Sequence, residues 1–255
     1  MAQGKKAVFL DIDGTLITMD SGPFVDDIME IEAAKKRGHL FFFSTGRSYA
    51  FVPGVLKKAP WVDGFICGAG AHVLLADSNR NFVTLHHTWI AGELLPVICE
   101  LYLRIGKWCT FEGETEVYEI KRERGFRKIQ NKDDFSTCFP GAVITKITTE
   151  GYMTEEEKSV LGENFSLFPQ AEWSEGIIKG ESKSKGMQVI LDATGIPREN
   201  TIAIGDSEND LDIIQYAKTG IAMGNACTKL KEAATAVTLP CGQGGVARAL
   251  QDWAL

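Results

Sequence analysis

Two acidic residues, Asp11 and Asp13, stand two positions apart directly after a short apolar run. The run at residues 7–10 has the composition of a buried β-strand, and it is followed without a spacer by Asp11-Ile12-Asp13-Gly14-Thr15-Leu16. Open α/β sheets bind ligands beyond the carboxyl ends of their strands, and Gly14 permits the turn that brings the second acid round. Two carboxylates in such a crevice can act as a nucleophile and as a general acid–base.

A second acidic group follows another apolar run. The strand predicted at residues 201–204 leads directly into Gly205-Asp206-Ser207-Glu208-Asn209-Asp210. If Asp206 and Asp210 converge on the first acidic pair, four carboxylates repel one another in one crevice, and a hard divalent cation is the natural compensation. The sequence therefore predicts a Mg²⁺ site.

The motif at residues 11–16 resembles the nucleophile motif of the haloacid dehalogenase (HAD) superfamily of phosphotransferases. The other motifs of that superfamily follow in the expected order. Thr45-Gly46-Arg47, after a strand predicted at residues 40–43, resembles the second motif. The resemblance implies that Thr45 and Gly46 hold the transferring phosphoryl group through a hydroxyl and backbone N–H groups.

The third motif of the superfamily is a lysine that neutralises the charge of the phosphoryl group and the nucleophile. Ser184-Lys185-Gly186, just before a helix predicted at residues 186–193, matches it and favours Lys185, with Lys183 as the alternative. In the fourth motif, the resemblance implies that Asp206 is a direct metal ligand, that Asp210 acts through a metal-bound water and that Asn209 contacts phosphate. The predicted metal-binding residues are Asp11, Asp13, Asp206 and Asp210.

Both ends of the chain alternate buried strands with helices, which predicts a doubly wound parallel sheet of the Rossmann type. Residues 81–179 instead combine antiparallel strand patterns with two amphipathic helices, an α+β pattern. We therefore expect a catalytic core formed by residues 1–80 and 180–255, and an inserted cap domain at residues 81–179. A cap of this size at this position resembles the Cof-like subgroup of sugar-phosphate phosphatases.

The resemblance implies a Mg²⁺-dependent phosphatase that acts on a small phosphorylated metabolite, most simply a sugar phosphate. Asp11 would form an aspartyl-phosphate, and Asp13 would serve as general acid and then base. An acid at position 13 disfavours the ion-pumping ATPases and phosphonate hydrolases, which lack it. A phosphomutase, a dedicated sucrose- or mannosyl-type phosphate phosphatase and a non-catalytic phosphosugar sensor remain alternatives.

The composition limits the partners of this chain of 255 residues. Its net charge of −7 argues against broad binding to nucleic acid or acidic membranes. No apolar stretch approaches the ~20 residues that span a bilayer, and no signal sequence is recognisable, so we expect a cytoplasmic protein. The oligomeric state and the identity of the substrate cannot be read from these patterns.

Overall fold

The computed structural model describes residues 5–18, 22–169 and 171–253, and the chain divides into two compact units. Unit 1 comprises Met1–Gly46, Pro53–His86 and Ser182–Leu255, and unit 2 comprises Arg47–Val52 and His87–Glu181. In the described part of the chain the strands are β1 (Ala7–Leu10), β2 (Leu40–Ser44), β3 (Val62–Cys67), β4 (His72–Ala76), β5 (Phe82–His87), β6 (Cys109–Gly113), β7 (Val117–Ile120), β8 (Arg127–Lys128), β9 (Ile144–Glu150), β10 (Phe165–Pro169), β11 (Trp173–Ile178), β12 (Thr201–Gly205), β13 (Thr219–Ala222) and β14 (Ala236–Val237). The helices are α1 (Val25–Lys36), α2 (Gly54–Lys57), α3 (Leu94–Ile105), α4 (Asp134–Thr137), α5 (Glu155–Leu161), α6 (Lys183–Thr194), α7 (Leu211–Tyr216), α8 (Thr228–Ala233) and α9 (Gly245–Trp253).

Unit 1 is built on an eight-stranded sheet with the order β14-β13-β12-β1-β2-β3-β4-β5. The six strands from β14 to β3 pair in parallel, and β4 runs antiparallel to β3. Strand β1 is entirely buried at the centre, where Leu10 is paired with Phe43 on one side and with Ile204 on the other. Continuous apolar strands of this kind need cover on both faces, which explains why helices separate them in the sequence. The predicted parallel α/β core is confirmed.

Unit 2 contains a six-stranded sheet with the order β10-β11-β9-β6-β7-β8. Its pairs are antiparallel except for β7 with β8. Helix α3 contributes Ile98 and Tyr102 to an apolar core that also contains Phe111 of β6 and Ile147 of β9. Antiparallel strands with helices on one face confirm the predicted α+β character of the inserted segment.

Two predicted boundaries differ from the structure. Strand β5, expected within the inserted segment, is the edge strand of the eight-stranded sheet. Helix α6, predicted to begin at residue 186, begins at Lys183, because Ser182 caps it: the Ser182 Oγ accepts a hydrogen bond from the Lys185 N–H at 3.2 Å. Among the residues described, no helix combines the length and apolar character needed to cross a membrane.

Candidate active site

Three of the predicted site residues follow neighbouring parallel strands and lie at one edge of the sheet in unit 1. Asp11 directly follows β1, Thr45 directly follows β2, and Asp206 directly follows β12. The Asp11 N–H donates to the Ile204 carbonyl at 2.9 Å, which ties the first acidic motif to the strand that carries the fourth. The sheet topology therefore brings together motifs that lie up to 195 positions apart in the sequence, counted from Asp11 to Asp206.

Three of the predicted metal ligands form one carboxylate cluster. Asp11, Asp206 and Asp210 each offer an oxygen, and these atoms all lie within 4.8 Å of one another. Asp11 is 6% exposed and Asp210 is 1% exposed, whereas Asp206 is half-buried at the edge of the cluster. The side chain of Asp13 is exposed and is not a member of this cluster. The charge of Asp13 nevertheless contributes to the raised pKa of Asp206, and its predicted part in metal binding stays a prediction.

The lysine beside the cluster is Lys183. Its Nζ donates to Asp11 Oδ1 at 2.8 Å, to Asp210 Oδ1 at 2.5 Å and to Asn209 Oδ1 at 3.0 Å, and its side chain is fully buried. Lys185 is exposed. The preference for Lys185 over Lys183 was wrong because α6 begins at Lys183: at 100° per residue, the side chain two positions later points about 200° away, towards solvent.

Asp210 organises the loop that presents Asp206. One of its oxygens, Oδ2, accepts hydrogen bonds from the N–H groups of Asp206 and Ser207, both at 3.1 Å, while the other is held by Lys183. A Cβ atom at Gly205 would lie 2.4 Å from the Asp210 Cγ, so only glycine permits this close approach. Both oxygens of Asp210 therefore already have protein partners.

The turn after Asp11 depends on Gly14. This glycine has a φ of +76°, and a Cβ atom there would lie 2.2 Å from Asp206 Oδ2. The Gly14 N–H donates to the Ile17 carbonyl at 2.8 Å, which closes the turn. The sequence signal for a turn at Gly14 is confirmed, and the structure adds a second reason for glycine, the close approach of Asp206.

Asn225 is a site residue that the sequence motifs did not single out. Its Nδ2 donates to the Gly14 carbonyl at 2.9 Å and lies 3.5 Å from Asp206 Oδ2, and its Oδ1 accepts from the Cys241 N–H at 2.7 Å. It thus connects the two acidic motifs to the loop before α9. A polar residue shortly after the apolar strand β13 was the available signal, because the ligand-bearing loops of such a sheet follow its strands.

The predicted phosphate contacts Asn209, Thr45 and Gly46 have different surroundings. Asn209 accepts from Lys183 and also from the Ser207 Oγ at 2.9 Å. Thr45 is 1% exposed, and its N–H donates to the Ile66 carbonyl at 2.8 Å, so the backbone after β2 is fixed. Gly46 is half-buried and follows it at the end of the first segment of unit 1.

Burial and like charge shape the protonation of the cluster. Burial raises the pKa of Asp206 to about 7, with a further contribution from the neighbouring Asp210 carboxylate. Burial also raises the pKa of Asp11, against the opposing charge of Lys183. Burial disfavours the ammonium form of Lys183, but the Asp11 and Asp210 carboxylates outweigh it and raise the pKa of this lysine. One buried cation is thus shared by three carboxylates that are costly to ionise together.

The donor set matches a small, hard divalent cation. The three clustered side chains offer carboxylate oxygens only, and one lysine does not balance three negative charges. Oxygen ligands with incomplete charge compensation suit Mg²⁺ better than metals that prefer nitrogen or sulfur. Asp11 and Asp206 fit direct coordination of the ion. Both oxygens of Asp210 already accept hydrogen bonds from the protein, which fits contact with the ion through a water molecule.

Comparison with known proteins shows the family to which the chain belongs. Residues 8–250 match the family model of haloacid dehalogenase-like hydrolases. The 5-amino-6-(5-phospho-D-ribitylamino)uracil phosphatase YcsE of Bacillus subtilis is 38% identical over 98% of this chain and 96% of its own length. YitU of the same organism, a phosphatase with the same named substrate, is 25% identical over 96% of each chain.

A solved structure is similar over nearly the whole chain. It is a HAD subclass IIB sugar phosphatase, with a TM-score of 0.83 and 25% identity, and the match covers 98% of this chain and 99% of that one. The superfamily predicted from the four motifs is confirmed. The chain belongs to the haloacid dehalogenase-like hydrolase family.

Proposed function

We propose that this protein is a phosphatase that hydrolyses phosphate monoesters of small metabolites, with Asp11 as the nucleophile. The observation that carries the proposal is the pairing of a buried carboxylate with a buried ammonium group: Asp11 Oδ1 and Lys183 Nζ are 2.8 Å apart. A buried carboxylate held by a cation at the end of a sheet is prepared to receive a phosphoryl group, because the cation offsets the repulsion between two anions. Relatives that are named phosphatases support the same reaction.

The chain's own residues supply each part of a two-step displacement. An oxygen of Asp11 attacks phosphorus, the bond from phosphorus to the ester oxygen breaks, and the phosphoryl group is carried on Asp11 as an acyl phosphate. Asp13 gives its proton to the leaving alkoxide. Asp13 then takes a proton from a water that attacks the acyl phosphate, which releases inorganic phosphate and restores Asp11. Lys183, the Thr45 hydroxyl and the Gly46 N–H orient the phosphoryl oxygens.

Asp11 and Asp206 would hold Mg²⁺ directly, and Asp210 would act on it through water. When bound, the ion neutralises the carboxylates and the phosphoryl oxygens. The three clustered carboxylates support this assignment. So does the pKa of Asp206 of about 7, because clustered carboxylates without a compensating cation resist ionisation. The acid–base role of Asp13 fits its exposed side chain, which a leaving group and water can reach.

The substrate that we propose is a phosphorylated sugar or sugar alcohol. The named substrate of the two relatives carries its phosphate on a ribityl chain, and a similar solved structure is a sugar phosphatase. Both kinds of compound present a phosphate ester on a carbon chain rich in hydroxyl groups. We further propose that the inserted segment, unit 2, selects among such esters, whereas unit 1 carries the chemistry.

Purified protein assayed with Mg²⁺ on a panel of phosphate esters tests this function. The panel contains hexose 6-phosphates, pentose phosphates, 5-amino-6-(5-phospho-D-ribitylamino)uracil, flavin mononucleotide, pyridoxal phosphate and p-nitrophenyl phosphate. We expect release of inorganic phosphate, with kcat/KM highest for one sugar or ribityl phosphate. Conversion of a hexose 1-phosphate to the 6-phosphate without phosphate release would instead identify a mutase, and binding without turnover would identify a sensor.

Two variants test the roles of the first acidic pair. Asp11→Asn keeps the shape of the side chain but cannot form the acyl phosphate, so we expect turnover to disappear while the protein still folds. Asp13→Asn should lower kcat by roughly 10² to 10⁴, the usual contribution of a general acid–base. Near wild-type turnover in Asp11→Asn would refute covalent catalysis by this residue.

A deletion tests the division of labour between the units. Replacement of residues 88–180 by a short Gly/Ser linker retains Asp11, Asp13, Thr45, Lys183 and Asp206. We expect this variant to hydrolyse p-nitrophenyl phosphate and to lose its preference among sugar phosphates. Retained preference in a folded deletion variant would contradict a selective role for the inserted segment.

A further inference from the structure

The first turn of α6 is capped by two residues, and one of them belongs to another helix. The first N–H groups of an α-helix have no partner within the helix, because each N–H donates four residues back. The Lys185 N–H donates to the Ser182 Oγ, the residue that precedes the helix. The Ser184 N–H donates to Asp212 Oδ2 at 2.7 Å, and Asp212 lies 28 positions later, in the first turn of α7.

The two caps have different consequences for the position of the helix. Ser182 bonds an N–H only three positions away and moves with α6, so it determines where the helix begins. Asp212 belongs to a different element, so its hydrogen bond determines where the start of α6 lies relative to α7. The positive end of the helix dipole favours a carboxylate at this place. Asp212 therefore connects the two helices at the end where the lysine motif lies.

Lys183, the first residue of α6, is held by the same segment at both of its ends. Its ammonium group donates to Asn209 and Asp210, which directly precede α7. Asp212, two positions further along, accepts from the N–H of the residue that follows Lys183. The segment 209–212 thus contacts the ammonium group directly and the adjacent backbone through one carboxylate. The reach of the lysine side chain is set by these two attachments together.

We infer that Asp212 is a positioning residue that keeps the Lys183 ammonium group in place beside Asp11. The inference rests on the proposed function, in which Lys183 orients the phosphoryl group. The ammonium group makes hydrogen bonds of 2.5, 2.8 and 3.0 Å to three different side chains, and such bonds weaken beyond about 3.2 Å. A shift of the backbone by about 1 Å would break part of this set, and misplacement of that size can lower a rate by about 10²-fold.

A second hydrogen bond between the same two helices supplies a matched control. The Tyr216 hydroxyl of α7 donates to Gln188 Oε1 of α6, and Gln188 is exposed. Gln188 lies five positions after Lys183, about 7.5 Å along the helix, so its loss leaves the first turn in place. Gln188→Ala should therefore leave kcat/KM for p-nitrophenyl phosphate within about twofold of wild type.

A double-mutant cycle separates a positioning role from a merely structural one. Asp212→Ala alone should lower kcat/KM for p-nitrophenyl phosphate by about tenfold or more. In the Lys183→Met background, the same substitution should change kcat/KM by less than about twofold, because the group that Asp212 positions is then absent. A cap that only stabilises the fold would cost the same factor in both backgrounds.

The conservative variant Asp212→Asn tests the hydrogen bond itself. Its amide oxygen can still accept from the Ser184 N–H, so kcat/KM should stay within about threefold of wild type. Both Asp212 variants retain the Ser182 cap and should fold. The melting temperature of Asp212→Ala should fall by about 2 to 4 °C, the usual effect of one lost cap in a protein of this size.

Binding of inorganic phosphate, measured by titration calorimetry with Mg²⁺ present, distinguishes failure of this inference from failure of the proposed function. Asp212→Ala should raise the phosphate dissociation constant by about tenfold and leave it unchanged in the Lys183→Met background. If the wild type binds phosphate but hydrolyses no ester, the proposed function fails and the phosphate cycle decides the inference. Equal factors in both backgrounds, or wild-type values in Asp212→Ala, overturn the inference, and a protein that binds no phosphate overturns both.

Discussion

Lys183 Nζ lies 2.8 Å from Asp11 Oδ1, across 172 positions of sequence, and both side chains are buried. The pair joins the end of the first strand to the start of α6. Because each group would be costly to bury alone, the two motifs depend on each other electrostatically. The nearby Asp210 carboxylate, 2.5 Å from the same nitrogen, adds a third member to this arrangement.

Removal of the buried cation should impair the site far more than removal of its exposed neighbour. Lys183→Met leaves Asp11 and Asp210 without their common partner, so we expect kcat/KM to fall by about 10² to 10³ or more. Lys183→Arg keeps the charge but not the compact ammonium geometry, and serves as the folded alternative if the methionine variant is unstable. The measurement is steady-state hydrolysis of p-nitrophenyl phosphate together with thermal unfolding.

Lys185→Met is the matched control for this substitution. Its side chain is exposed at the third position of α6, so activity should stay within about twofold and stability within about 0.5 kcal/mol of wild type. Equal losses in the Lys183 and Lys185 variants would contradict the assignment of the buried lysine.

The metal-free protein should lose stability as the pH rises from about 4 to about 7. An unfolded Asp ionises near pH 3.9, whereas burial keeps Asp206 protonated in the folded state up to a pKa of about 7. Within this window the folded state binds more protons than the unfolded state, so the free energy of unfolding falls with rising pH. Above pH 7 both states are ionised and this contribution no longer changes.

Asp206→Asn isolates that effect. In EDTA, we expect the variant to melt at a higher temperature than wild type at pH 8, and the difference to shrink towards pH 5. Addition of Mg²⁺ should stabilise wild type at pH 8 and leave the variant largely unaffected, because a cation that binds only the folded state shifts the unfolding equilibrium. A pH-independent difference between the two proteins would count against a titrating Asp206.

Asn225 should contribute to metal binding without taking part in the chemistry. Asn225→Ala removes the hydrogen bond to the Gly14 carbonyl and the contact with Asp206, so the dissociation constant for Mg²⁺ should rise by about tenfold, the lower range for groups that orient metal ligands. Titration of Mg²⁺ followed by thermal shift gives this constant without an assay of turnover. Asn79→Ala, in an exposed turn, is the control and should bind Mg²⁺ like wild type.

Substitution of Gly14 should disturb Asp206 directly. Gly14→Ala places a Cβ atom 2.2 Å from Asp206 Oδ2 at a φ of +76°, a backbone region that costs other residues about 1 to 2 kcal/mol. We expect lower stability by at least that amount and weakened Mg²⁺ binding in calorimetric titration. Gly54→Ala, where nothing lies within 4 Å of the added carbon, should retain both properties. Intact Mg²⁺ affinity in Gly14→Ala would show that Asp206 can move without loss.

Local sequence determined much of this protein. Apolar runs that end in polar residues marked β1 and β12, and the acids that follow them, Asp11 and Asp206, lie together as expected because parallel strands end at one edge of a sheet. The capping box of Thr154 and Glu157 at the start of α5 is equally local, since its hydrogen bonds join residues only three positions apart.

Other features were decided only by tertiary structure. Lys183 and Lys185 have the same chemistry and nearly the same neighbours in sequence, and what separates them is the residue at which α6 begins, which Ser182 fixes by capping. Asn225 acquired its role from its contact with Gly14, which lies 211 positions away in the sequence. Strand β5 joined the eight-stranded sheet because Phe82 packs on Phe65 of β3, with ring centroids 4.8 Å apart. Patterns in the chain report which groups prefer burial or turns, whereas the direction of a side chain and its distant partners depend on how the elements pack.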